Sequence, residues 1–164
     1  MKIKIISVGN SPPKSIQDIL LKYTSRFDNY FKIEILEIKS EKNFKSVGQK
    51  KMQEAQKILK FIGTDFIISL DESGSPCSSI NLSAKLSNWM QNFPNVTFII
   101  GGADGLDKKI IEKSDWVWSL SKLTLPHNLV KIILVEQLYR ASTCLLYTSD
   151  AADDLLCVDL GGRR

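Results

Sequence analysis

VTFIIGGADG, Val96 to Gly105, sets a run of apolar and β-branched residues directly against two glycines. Val96–Ile100 has the composition of a strand, and Gly101-Gly102 ends it. Without a Cβ, such a pair lets the backbone approach a ligand closely and take positive φ. A glycine pair after a strand is also an ordinary turn, so this motif by itself leaves both readings open.

The flanking segments alternate in kind. Upstream, SINLSAKLSNWMQNF carries Leu82, Leu86, Trp89 and Met90 at helical spacing. Before it, DFIISLDESG gives a buried strand, Phe66–Leu70, running into an acidic turn. KKMQEAQKILKFI (Lys50–Ile62) is a helix with Met52, Ala55, Ile58, Leu59 and Ile62 inward, ending near Gly63. Residues 39–50 are polar and lysine-rich, which reads as a loop. FKIEILEI (Phe31–Ile38) alternates apolar and charged residues, as a strand with one wet face does. At the N-terminus, Ile3–Gly9 is a strand. It is followed by a helix with Ile16, Ile19, Leu20, Tyr23 and Phe27 on one face and Ser15 as expected N-cap. Downstream come a polar helix (Asp107–Lys113), a short strand (Trp116–Leu120) and a strong helix (Asn128–Ala141). Strands alternating with helices predict a three-layer α/β fold with a mostly parallel sheet, in one domain.

At 164 residues, 43% of them hydrophobic, the chain is long enough to bury a core. It carries 22 basic and 18 acidic residues, a net charge of +4. Of these only Arg163, Arg164, Asp150, Asp153, Asp154 and Asp159 follow residue 142, so the body is the more basic part. That balance suits a polyanionic partner without requiring one. Cys77, Cys144 and Cys157 are scattered, with no C-x-x-C, which points away from disulfides and from a metal site and toward a reducing, cytoplasmic setting. No apolar run approaches the ~20 residues that span a bilayer. Neither G-x-G-x-x-G nor G-x-x-x-x-G-K-[ST] occurs, which disfavours nicotinamide enzymes and NTPases.

In open α/β sheets ligands sit outside the carboxyl ends of strands. Three loops lie there: Leu70–Gly74, Gly101–Gly105 and Leu120–His127. The third belongs to WVWSLSKLTLPHNL, which holds two of the three tryptophans and the sole histidine. Leu120, Leu123 and Leu125 offer apolar walls to an adenine ring, and Ser119, Ser121 and Thr124 offer hydroxyls to a ribose. The bland alternative assigns the leucines to the core and the hydroxyls to the turn.

VTFIIGGADGL, WSLSKLTLPHNLVKIILVEQLYRA and MKIKIISVG together resemble the ribosomal RNA large-subunit methyltransferase H family, small SPOUT methyltransferases, over residues 1–141. The resemblance implies a C-terminal trefoil knot, S-adenosyl-L-methionine as cofactor, and a homodimer with each active site at the interface. It implies methylation of N3 of a pseudouridine in 23S rRNA on the assembled ribosome; the alternative is an inactive ribosome-binding or assembly factor on the same fold. By position, the cofactor pocket comprises Leu70, Gly102, Leu120, Ser121, Lys122, Leu123, Thr124, Leu125 and Pro126. No metal is implied. His127, directly after that run, is the side chain suited to handle a proton near neutrality, or else it orients the loop. Arg140 either bridges Glu136 at i, i+4 or contacts the RNA, and Tyr139 is either a core aromatic or a stacking platform.

The chain departs from the family after Ala141, where relatives continue to a Pro-Tyr-His-basic end. STCLLYTSDAADDLLCVDLGGRR lacks it, and CLLYTSDAAD reads like a translated sequencing adapter. The expectation is a methyltransferase domain over 1–142 and a foreign, poorly ordered tail over 143–164, with Leu145, Leu146, Leu155 and Leu156 either docking loosely on the body or provoking association.

Overall fold

The computed structural model describes the backbone of residues 1–40, 42 and 44–150, with side chains in that span as far as Leu145. Among the described residues, five strands form one wholly parallel sheet. They are β1 (Lys2–Val8), β2 (Lys32–Ile38), β3 (Phe66–Pro76), β4 (Asn95–Ile100) and β5 (Trp116–Ser119), in the order β2-β1-β4-β3-β5. The helices α1 (Lys14–Thr24), α2 (Val47–Leu59), α3 (Ser79–Asn92) and α4 (Lys108–Lys113) make the crossovers that parallel pairing needs, and α5 (His127–Asp150) follows the last strand.

Strand alternation distributes the helices over two faces. Ile3, Ile5, Ile68, Leu70, Val96, Phe98 and Trp118 pack with Leu20 of α1, Leu82, Leu86 and Trp89 of α3, and Leu134, Val135 and Leu138 of α5. Ile6, Val8, Ile67 and Ile99 pack the other way, with Ala55 and Ile58 of α2 and Ile110 of α4. Helices on both faces make the three layers. Central β4 is sealed on each side: Val96, Thr97, Phe98 and Ile99 are all 0% exposed.

Several boundaries differ from the sequence reading. β3 continues past Leu70, through the acidic turn to Pro76, after a register shift against β5 between Leu70 and Ser75. Gly74 permits this, because a Cβ there would stand 2.7 Å from the carbonyl carbon of Val117. α1 is preceded by Pro13 rather than capped by Ser15. α2 begins at Val47, inside the expected loop, since the Ser46 side chain accepts a bond from the Gln49 amide. α5 starts one residue early, at His127. Ile19, Met52 and Met90 were expected inward and stand at the margins of their packed arcs, 37%, 40% and 37% exposed. The expected boundary after Ser142 falls within α5, while Leu155, Leu156 and the rest of 151–164 lie outside the described residues.

α5 lies against both α1 and α3. The Tyr139 ring meets Tyr23 and Phe27 edge-on, at centroid distances of 6.3 and 5.7 Å, so it packs helix to helix. Nearer the start of α5, Lys131 is 0% exposed and places Nζ 2.7 Å from Glu37 Oε1. Glu37 belongs to edge strand β2, so this buried pair ties the first turns of α5 to the margin of the sheet. Removing Glu37 leaves the fully buried Lys131 ammonium uncompensated, which costs about 3–5 kcal/mol, while removing Lys131 leaves a carboxylate that water partly reaches. Glu37→Ala is therefore expected to lose stability of that order in urea denaturation, and Lys131→Met with Glu37→Leu to recover most of it. A single variant no worse than an exposed lysine replacement would contradict the anchoring role.

At the opposite end of the strands, Asp65 Oδ2 accepts from Thr97 Oγ1 at 2.6 Å and from Lys4 Nζ at 3.1 Å. Burial pushes the Asp65 carboxyl up, but the bonds from Thr97 and Lys4 outweigh it and hold the group below its ordinary value of 3.8. A carboxyl depressed in the folded state stabilises above its unfolded pKa, and that stability is lost as pH falls through the folded value. Denaturation midpoints measured from pH 6 down to about pH 2 are expected to fall more steeply for the natural chain than for Asp65→Asn.

Candidate active site

A cleft of about 730 Å³ opens at the carboxyl edge of the sheet, between the ends of β3, β4 and β5 and the start of α5. Its walls come from the three loops singled out above. The first gives Leu70, Asp71 and Glu72, the second Gly101 to Gly105, and the third Leu120, Ser121 and Leu123 to His127. The volume lies in the range of ligand pockets, ~300–1,000 Å³.

Local bonding shapes each wall. The amide of Gly105 donates to the Gly102 carbonyl at 3.0 Å, closing a tight turn. Positive φ falls on Gly105, at 78°, and not on Gly101 or Gly102. Gly101 is needed for closeness instead: a Cβ there would lie 2.8 Å from the backbone carbon of Gly105. In the third loop, Ser119 Oγ donates to the Ser121 carbonyl at 3.0 Å, and Ser121 Oγ accepts from the Leu123 amide at 2.9 Å. Those two hydroxyls hold the loop, and Ser119 does not line the cleft, whereas Thr124 does. The Pro126 carbonyl receives the amides of Leu129 and Val130, at 2.9 and 3.0 Å, so α5 begins as soon as the loop ends.

Of the residues proposed from sequence, Leu70, Gly102, Leu120, Ser121, Leu123, Thr124, Leu125, Pro126 and His127 are brought together here. Lys122 is exposed and outside the lining. Leu70 lies opposite Ile100 in register, and both reach the cleft. Leu123 is 73% exposed, a large apolar side chain on the rim. Arg140 stands apart on α5, its guanidinium bonded to Glu136 Oε1 at 2.6 and 3.1 Å. That bond and the Glu136 charge raise its pKa further. The sequence reading left out Asp71, Glu72, Asp104 and Lys51, although the acidic turn after Leu70 was a visible signal. Among the described residues no three His, Cys, Asp or Glu side chains gather as a metal would require, and no helix is long and apolar enough to cross a membrane.

A family description, predicted SPOUT methyltransferase, matches residues 1–147. The chain belongs to the SPOUT methyltransferase family. Among curated SPOUT relatives, a ribosomal RNA large subunit methyltransferase H from Methylobacillus flagellatus is 42% identical over 142 residues, covering 85% of this chain and 92% of that protein. The protein of the same description from Francisella tularensis subsp. novicida is 42% identical over 149 residues, covering 88% and 96%. A probable methyltransferase from Bordetella pertussis shares the fold, with a TM-score of 0.55 at 12% identity over 85% of this chain and 95% of that one.

His127 is backed by Gly9, the residue that follows β1. A Cβ on Gly9 would stand 2.9 Å from its Nε2 and 3.2 Å from its Cδ2, so the ring lies directly on the Gly9 backbone. Because the chain has one histidine, its ring signals in a ¹H–¹⁵N spectrum are unambiguous. Gly9→Ala is expected to shift them while leaving the far-ultraviolet dichroism unchanged; unmoved ring signals would contradict the contact.

Proposed function

We propose that this chain transfers a methyl group from S-adenosylmethionine to N3 of a pseudouridine in 23S rRNA, acting on the assembled ribosome as a homodimer. The cleft carries this reading, because its walls combine apolar surface, close-approaching backbone and negative charge in one ligand-sized space. Leu70, Ile100, Leu120 and Leu125 suit the faces of an adenine ring. The tight Gly101–Gly105 turn lets backbone groups reach a ligand edge. Asp71, Glu72 and Asp104 favour a cationic ligand over a neutral one. The cofactor, when bound, supplies an electrophilic methyl group on a sulfonium. What the protein adds to such a displacement is positioning and electrostatic support.

The relatives' description as rRNA methyltransferases supports the substrate. The N3 proton of a uracil-type ring is weakly acidic, about like a tyrosine hydroxyl, so a group that receives or steers it favours transfer. His127 has that role here, fixed at the lip of the cleft by Gly9. Arg140 lies about 20 Å farther along α5 at 1.5 Å per residue, beyond reach of the same cleft. In the homodimer it serves the partner's cleft, engaging the RNA backbone or the target base. A trefoil knot threading the 120–126 loop and a cytoplasmic setting belong to the same proposal. So does a foreign origin for residues 143–164, which resequencing the locus across the junction tests.

The test is transfer of labelled methyl to ribosomes lacking this modification, by the chain as written and by one carrying a family-type ending after Ala141. Transfer by the second is expected, with the first weaker. Cofactor binding by both without transfer by either would overturn the enzymatic reading. The dimer is tested by mixing. His127→Ala and Arg140→Ala are each expected to lose most activity, and co-refolded mixtures to regain part of it, since one mixed site has both residues. No recovery would place both roles in one protomer.

A further inference from the structure

The strand order reverses between β1 and β4. β1 leads through α1 outward to β2, whereas β4 leads through α4 outward to β5. The loops after these two neighbours therefore diverge, and a crevice opens at their carboxyl ends. It holds a second cleft, of about 570 Å³, whose lining includes Asn10 after β1, Ser40 after β2, Phe44, Ser46, Lys50 and Asp104 after β4. Asp104 also lines the first cleft, so the two spaces share a wall.

The chemistry of the second cleft differs from that of the first. Lys50 Nζ lies 2.6 Å from Asp104 Oδ2, at the shared wall. One turn along α2, Glu54 is 3% exposed and its Oε1 accepts from Ser40 Oγ at 2.8 Å. Its Oε2 faces Gly102, 3.8 Å from where a Cβ would stand. Ser40, Ser46, Lys50 and Asp104 thus form a polar wall, with Glu54 buried behind Ser40, and Phe44 supplies an aromatic surface. Lys39, Lys42, Lys45, Lys50 and Lys51 all fall within this short segment of chain. The first turn of α2 contains no acidic residue, and Ser46 and Val47 at its start line the same space. A cation, an aromatic face and hydrogen-bonding groups in one cleft match a nucleotide extracted from an RNA strand, whose parts are a phosphate, a ring and a polar edge.

We propose that this second cleft receives the target nucleotide of the RNA. Lys50 leaves Asp104 for a backbone phosphate, and Phe44 stacks on the base. Asp104, released at the shared wall, accepts a ring N–H and turns the reacting edge toward the cofactor cleft. Lys50 and Phe44 are thereby substrate-binding residues and Asp104 a positioning residue. The proposal rests on the methyltransferase reading for what lies in the first cleft, but its test does not depend on turnover.

The experiment uses the full chain and ribosomes lacking the modification. It measures binding across a salt series, calorimetric affinity for S-adenosylmethionine, and methyl transfer, for the natural chain, Lys50→Gln, Lys50→Arg and Phe44→Ala. Lys50→Gln is expected to weaken ribosome binding about tenfold and to reduce the slope against log salt by about one, as loss of one phosphate contact does. Cofactor affinity should stay within about twofold. Lys50→Arg should restore binding and slope, while Phe44→Ala should weaken binding with the slope unchanged. Wild-type affinity and slope in Lys50→Gln would overturn the proposal. So would a parallel loss of cofactor affinity, which would make the second cleft an annex of the first. Expected binding changes without methyl transfer, in these chains and in one carrying a family-type ending after Ala141, would instead refute the methyltransferase reading and leave the RNA-binding cleft standing.

Discussion

All five strands run the same way, and the site exists because of that constraint. A parallel sheet puts every strand-to-helix loop at one edge, so residues distant in sequence meet there without further device. Leu70, Gly102 and Leu125 become neighbours because β3, β4 and β5 end together. Sealing β4 on both faces keeps that edge in register. Its odd and even residues serve two separate cores, and a slip by one position would exchange them. The charges divide along the sheet in a similar way. Asp65 and Lys4 close the far end of the strands, while Asp71, Glu72, Asp104 and Lys50 cluster where ligands enter.

Much of this was readable in advance. Apolar runs located the inner strands, which bury both faces, and period-two and period-3.6 patterns located the elements that bury one face against a core of ordinary aliphatic residues. The three loops that bound the cleft were visible as strand ends carrying glycine, acid or hydroxyl residues. What escaped prediction depends on contacts between distant backbones. The extension of β3 beyond Leu70 is decided by Gly74 fitting under Val117, and no local pattern announces that fit. Positive φ falls on Gly105 rather than Gly101 because the turn closes from Gly105 back to Gly102. The start of α2 was hidden because lysine-rich composition masked a serine cap.

The functional residues show the same limit more sharply. Ser119 and Ser121 both looked like ligand hydroxyls, yet Ser119 points into its own loop while Ser121 braces the loop and still lines the cleft, a division that a residue type cannot disclose. Tyr139 offered two readings, and the rings of Tyr23 and Phe27 decide between them. Lys131 carries no signal in the sequence that sets it apart from the other lysines. Only its depth and the position of Glu37 across the layer reveal it as an anchor.

Trp116 and Trp118 carry a last consequence. On β5 their rings stack, with centroids 5.2 Å apart and planes 12° from parallel. Trp118 lies opposite Leu70, whose other neighbour is the cleft, and Ser119 and Leu120 continue directly from it into the loop. Two indoles this close and this parallel exchange excitation, so their transitions mix and depend on their mutual angle. The wall behind the cleft is therefore an optical gauge in its own right, one whose dichroic signature registers the mutual angle of two side chains on β5 without any added label.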